Sequence, residues 1–218
     1  MLPFGADVFF FVFEQYNHAI WPAQVVAYVL GLLVLGAAMR PFPGSGRLVG
    51  AVLALAWLWN GIAYHVMHFA GINFWAYGFG ALFVIQGLLF AWTAARGRLA
   101  IRFAPDPAGW TGLGLALFAM ALYPLIGALA GHGWPRAPVF GVAPCPTTIF
   151  TWGVLLMSAR MPRHLAIVPL VWSLIGGTAA FFLGVPEDLA LPVAALIAIV
   201  LMLLRGRRTP AQELRSGR

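Results

Sequence analysis

The chain has 218 residues, of which 62% are hydrophobic and 9% charged, and its mean hydropathy is +0.89. Soluble domains carry about 25% charged residues, so this composition excludes an ordinary soluble enzyme and points to one integral membrane domain. The net charge of +7 comes entirely from arginine; the arginines flank apolar runs, which is a topology signal rather than a nucleic-acid footprint, and the lack of lysine excludes a retinal Schiff base.

The N-terminal stretch 1–18, "MLPFGADVFFFVFEQYNH", has no basic region of the kind that opens a cleaved signal peptide, and it reads as mature sequence. Phe9, Phe10, Phe13 and Tyr16 share one helical face, so an interfacial helix is expected there. Seven apolar segments follow, at 21–39, 47–70, 74–95, 110–130, 146–160, 164–182 and 189–204. They are continuous rather than alternating, which favours helices over a barrel. The expected fold class is therefore all-α: a polytopic membrane helix bundle of about seven transmembrane helices plus an N-terminal interfacial helix. It forms a single domain over 1–204, with a disordered basic cytoplasmic tail at 205–218. Trp21, Trp75, Trp110 and Trp134 fall near span ends, as interfacial anchors do. No internal repeat is visible.

Arg40, Arg47, Arg96, Arg98, Arg102, Arg160 and Arg163 lie at alternate loops, on the side of the arginine-rich tail. The opposite side holds Arg136 with Asp7, Glu14, Glu187 and Asp188. The positive-inside rule then puts the N-terminus outside and the C-terminus in the cytoplasm of a bacterial inner membrane. On this reading no aspartate lies inside a span.

Polar side chains concentrate at the arginine-poor end. Asn60, Tyr64 and His68 recur every four residues on one face, with His65 beside them. His132 ends the fourth span, while Glu14 and His18 precede the first. The only cysteine, Cys145, stands between Pro144 and Pro146. A residue before proline is held extended, and proline is favoured in the first helical position. Cys145 therefore reads as the N-cap of the fifth span, close to the N–H groups of Thr147 and Thr148. A single cysteine also excludes an internal disulfide.

The segments "YNHAIWPAQ", "WLWNGIAYHVMHFAGIN" and "GVAPCPTTIFTWG" resemble the recurrent motifs of an uncharacterised family of bacterial multi-span membrane proteins. That family bears a domain-of-unknown-function label, and some members are loosely named permeases. The resemblance spans 9–204; it implies a membrane bundle and no demonstrated activity.

Three functional classes stay open. One is a small-solute or metal-ion permease whose outward-facing site is lined by Asn60, Tyr64, Glu14, His18, Thr147 and Thr148. In it Cys145, His65, His68 and His132 are candidate metal ligands, a set suited to Zn²⁺ or Cu(I). The second is a metal- or thiol-centred membrane enzyme with Glu14 as general base; the lack of an interior aspartate counts against it. The third is a sensor or binding protein without turnover. His65 and His68 also have a structural reading as interhelical hydrogen-bonding groups, and His132 as a loop residue at the interface. Haem is disfavoured, since His65 and His68 stand on one helix. The expected partners are the lipid bilayer and a small molecule or ion, not nucleic acid, and the oligomeric state is open.

Overall fold

The computed structural model describes residues 4–158 and 163–216, with side chains to residue 205. The fold is a bundle of helices, and among the described residues there is no β-strand. Helix α1 spans Ala6–Ala19 and meets α2, Ala23–Met39, at 87°. Helix α3, Ser45–Trp59, continues as a π-helical turn over Asn60–Val66. Helix α4 is Ala76–Ala95. Helix α5, Pro107–Leu117, passes through a second π turn, Phe118–Leu122, into α6, Tyr123–Leu129. Helices α7, Pro144–Leu156, α8, Ile167–Leu183, and α9, Ala190–Ser216, complete the chain. The expected tail at 205–218 lies almost wholly outside the residues whose side chains are described, as do residues 159 and 160 of the predicted fifth span.

All seven predicted apolar segments are helical, but they are not equivalent. Five helices are long and apolar enough to cross a membrane, and six if the bent pair α1–α2 counts as one span. Helix α7 has 13 residues, which at 1.5 Å per residue is about 20 Å, short of a hydrocarbon core of about 30 Å. The reason lies upstream: every residue from 137 to 158 is buried. The chain enters the bundle as an irregular segment, 137–143, and becomes helical only at Pro144. Irregular backbone at such depth is tolerated only inside protein, and α7 is accordingly the central helix, enclosed by the others.

The buried segment is tied down group by group. Asn17 on α1 donates from Nδ2 to the carbonyls of Pro135 at 2.6 Å and Ala137 at 2.8 Å. Tyr16 donates its hydroxyl proton to the Val142 carbonyl at 2.7 Å and accepts from the Trp59 indole at 2.8 Å. Gly141 has φ of +81°, and a Cβ there would lie 2.6 Å from that of Ala27, so only glycine fits. Its N–H donates to Thr147 Oγ1 at 3.1 Å and its carbonyl accepts from Asn60 Nδ2 at 3.1 Å. Helix α1 thus lies across the arginine-poor end as a packed cover, burying Phe10, Phe13 and Tyr16.

The opposite end gathers the arginines. Arg102 and Phe103 donate backbone N–H groups to the last turns of α7 and α2. Arg205 reaches the Leu156 carbonyl at 2.8 Å and pairs with Asp106 at 2.6 Å. Between the two ends the core is filled by Trp57, Phe83, Phe90 and Trp152, all fully buried. Trp21, Trp75, Trp110 and Trp134 are exposed on the bundle's surface.

Candidate functional site

Two π turns shape the site. In the first, the ladder widens by one residue, so a stripe drawn at α-helical spacing drifts off its face. Asn60, Tyr64 and His65 all turn inward and are buried, whereas His68 is only half-buried. Such insertions recur at functional sites. His65 Nδ1 lies 2.9 Å from the Asn60 carbonyl, and His68 Nδ1 lies 2.7 Å from that of Ala63. A carbonyl only accepts, so each Nδ1 carries the proton and His65 Nε2 is left as a bare buried acceptor without a partner. The His65 ring stands edge-on to Trp172 of α8, whose buried indole N–H lies against the Cys145 sulfur.

The main departure from the sequence reading concerns Glu187 and Asp188. Both are buried on the 3₁₀ turn Pro186–Leu189 that links α8 to α9. Asp188, one residue before the predicted seventh span, is thus an interior aspartate, and the argument against an enzyme from the lack of one inside a span loses its force. Asp188 accepts a hydrogen bond from the Tyr123 hydroxyl, at the exit of the second π turn. The Cys145 thiol lies against the same carboxyl, which places it at the positive end of the α7 dipole. Glu187 pairs with His132 Nε2 at 2.6 Å, with side chains 0% and 8% exposed respectively. Gly127 leaves room for this pair, since a Cβ there would sit 2.8 Å from Glu187 Oε1. Among the described residues the second Glu187 oxygen has no partner.

Cys145 is not the helix cap that its proline flanks predict. Ala143 is the N-cap, Pro144 the first helical residue and Cys145 the second. The Thr147 amide donates to the Ala143 carbonyl, and the hydroxyls of Thr147 and Thr148 turn back onto the carbonyls of Ala143 and Pro144. The first proline, not the second, opens the helix.

Two predicted lining residues are elsewhere. Glu14 forms a salt bridge with Arg136 at 2.9 Å on the surface, and His18 is exposed beside Trp134. Thr147 and Asn60 belong to the scaffold that holds Gly141. The candidate metal ligands are divided among separate partners: His132 on Glu187, Cys145 on Asp188, and His65 and His68 on backbone carbonyls. Among the described residues, no group of three or more His, Cys, Asp and Glu side chains gathers as a metal site.

What the elements do enclose is a cavity of about 580 Å³ between α1, the 69–75 turn and α8. Nine of its twenty lining residues are aromatic, among them Phe9, Tyr64, Phe79 and Trp172. Asp188, beside Cys145, is the only acidic or basic group in the lining. The mouth is bounded by Leu174 and Phe182, 61% and 66% exposed on the apolar flank of α8. The arrangement offers the Asp188 carboxyl, the Trp172 indole N–H and a long apolar wall. It suits binding of an amphiphile, and the hydroxyl, thiol and carboxyl can exchange protons with whatever enters.

Sequence reasoning missed Glu187, Asp188 and Tyr123. A signal was present: the chain has only six acidic residues, and two of them stand together immediately before an apolar run. Acids are costly there unless turned inward to partners.

A model described as "Family of unknown function (DUF6064)" matches residues 6–213. No curated protein and no solved structure matches the chain.

Proposed function

The chain belongs to the family of unknown function DUF6064, and from its own geometry we propose that it is a small-solute permease held open toward one side. The observation that carries this reading is the cavity itself. It reaches a buried carboxyl and thiol where α7 begins inside the bundle, and interrupted helices of this kind supply substrate sites in transporters. With the arginine-rich end in the cytoplasm of a bacterial inner membrane, the cavity faces outward, and the fully buried Trp57, Phe83, Phe90 and Trp152 fill the middle of the bundle behind it.

Cys145 is the built-in probe. In right-side-out vesicles an impermeant cationic thiosulfonate is expected to modify it within minutes, and in inside-out vesicles at least about tenfold more slowly. Faster labelling from the cytoplasmic face overturns the outward-facing site. The filled core supports a second reading, binding without turnover. Gln86→Cys, at a buried position on α4 whose amide donates to the Leu165 carbonyl, separates the two in a Cys145→Ser background. A permease exposes position 86 to cytoplasmic reagent on cycling, and a binding protein never does.

A further inference from the structure

We propose that the cavity binds an amphiphilic ammonium, with the cationic head on Asp188 and the apolar body between the aromatic walls. The inference rests on the cavity being a solute site, and it names the class of solute. Four observations converge on it.

Charge comes first. Asp188 is 3% exposed, and it forms no ion pair among the described residues. Its contacts, the Tyr123 hydroxyl and the Cys145 thiol, are neutral donors. A buried carboxylate without a cation lacks the counter-charge that would offset its desolvation, and an ammonium ligand brings one. The neighbouring Glu187 already has His132, so only one of the two acids is left for a ligand.

The walls come next. Tyr64 and Phe69 are stacked at 5.5 Å, Phe13 stacks on Tyr64 at 4.8 Å, and Trp172 is edge-on to Phe79 at 5.5 Å. The stacked rings cover one another's faces and give the cavity a rigid apolar wall, which takes a hydrocarbon or aromatic body. An anionic ligand would meet Asp188 there and be repelled by it.

The third observation is the Trp172 indole N–H, which is buried and among the described residues has only the Cys145 sulfur, a weak acceptor, beside it. A ligand oxygen close to the ammonium, as in an amino alcohol or its ester, is a stronger acceptor for it. The fourth is the mouth, which opens along Leu174, Thr178 and Phe182 on the apolar flank of α8 rather than at a polar rim. A ligand with a hydrocarbon body can enter there from the bilayer.

The same chemistry has two sources, a free amine or the head of an aminophospholipid, and the test separates them. Full-length protein in phosphatidylglycerol nanodiscs is equilibrated with radiolabelled phenethylammonium, with phenethyl alcohol and with phenylpropionate. The ammonium is expected to bind at least about tenfold more tightly than either. Asp188→Asn is expected to abolish the preference for charge, and Thr178→Trp, at the exposed mouth, to block all binding in a folded protein. In nanodiscs containing phosphatidylethanolamine, loss of ammonium binding with that lipid retained on native mass spectrometry identifies a lipid head as the occupant. Undiminished binding identifies a free amine. Tighter binding of phenylpropionate or the alcohol overturns the ammonium assignment while leaving the solute site intact. Failure of all three probes and of phosphatidylethanolamine to bind, with Cys145 inert from both faces, overturns the solute site as well.

Discussion

The two ends of the bundle treat polar atoms differently. At the arginine-rich end, charge stays at the surface and closes backbone ends. Arg205 caps the last turn of α7 while holding Asp106, and Asp106 in turn caps α5 through the Gly109 N–H at 2.8 Å. At the arginine-poor end two carboxyls are buried, and among the described residues partners are missing for Glu187 Oε2, His65 Nε2, Asn60 Oδ1 and Gln24 Oε1. The Gln86 oxygen departs from the pattern, toward the other half. Native proteins pair nearly all buried polar atoms, so unpaired ones gathered at one end mark where the fold gives up stability. One end ties the helices together, and the other leaves buried polar atoms short of partners.

The largest expected effect tests that division directly. Gly112 and Gly153 bring α5 and α7 into backbone contact, and a Cβ on Gly153 would lie 2.5 Å from the Gly112 carbonyl oxygen. Overpacking a rigid contact costs about 1–3 kcal/mol and sometimes more. Gly153→Leu is expected at or above the top of that range and to yield little folded protein on size-exclusion chromatography. Asp188→Asn keeps an acceptor for Tyr123 and removes an uncompensated charge, so its melting temperature in detergent is expected to stay level or rise. If Asp188→Asn melts well below the parent, the carboxyl is structural and the contrast between the ends collapses.

How much of this was legible in the sequence follows from the same contrast. The helices were readable, because a long apolar run between arginines has few alternatives to a span. The interfacial helix was readable as a helix, but not as a cover, since the Tyr16–Val142 and Asn17–Ala137 contacts join positions more than a hundred residues apart. The face of α3 was half readable: spacing four found Asn60 and Tyr64, while the π turn brought in His65 and turned His68 partly outward. Cys145 was placed at the right helix end but in the wrong role, because either of two prolines could open α7 and sequence does not choose between them. Glu187 and Asp188 were missed because an acid beside a span looks like a surface charge. Nothing local records that Gly127, sixty residues earlier, leaves room for one of them.

The cover offers a middle-sized test. Asn17→Ala removes two donors and leaves the carbonyls of Pro135 and Ala137 short of partners. Each lost hydrogen bond is worth about 1 kcal/mol, so a loss of about 2 kcal/mol is expected in denaturant titration. The more telling readout is local. Amide exchange over 139–143 is expected to accelerate, and Cys145 to be modified several times faster. Equal loosening of the arginine-rich end would mean that the bundle responds as one unit.

The smallest effect belongs to the surface pair. Asp106 is held below the ordinary carboxylate range, first by the hydrogen bond from Arg205 and then by the Gly109 amide. A carboxyl with a folded pKa below its unfolded value of about 3.9 contributes stability above that value, and the contribution fades as pH falls through the folded pKa. Nothing from this pair is therefore expected to change between pH 6 and 8, and a small loss is expected below pH 4. Solvent and salt screen it, so the charge accounts for less than about 1 kcal/mol. Asparagine is a good N-cap, so Asp106→Asn is expected to keep the cap, lose only the ion pair and flatten the acid limb of the stability curve. Asp106→Ala also loses the cap, a further cost of about 1 kcal/mol. Asp106→Asn and Asp106→Ala falling together at pH 7 would show that Arg205, not the cap, is what Asp106 is there to hold. The arginine-rich end would then depend on its charge as much as the other end depends on its carboxyls.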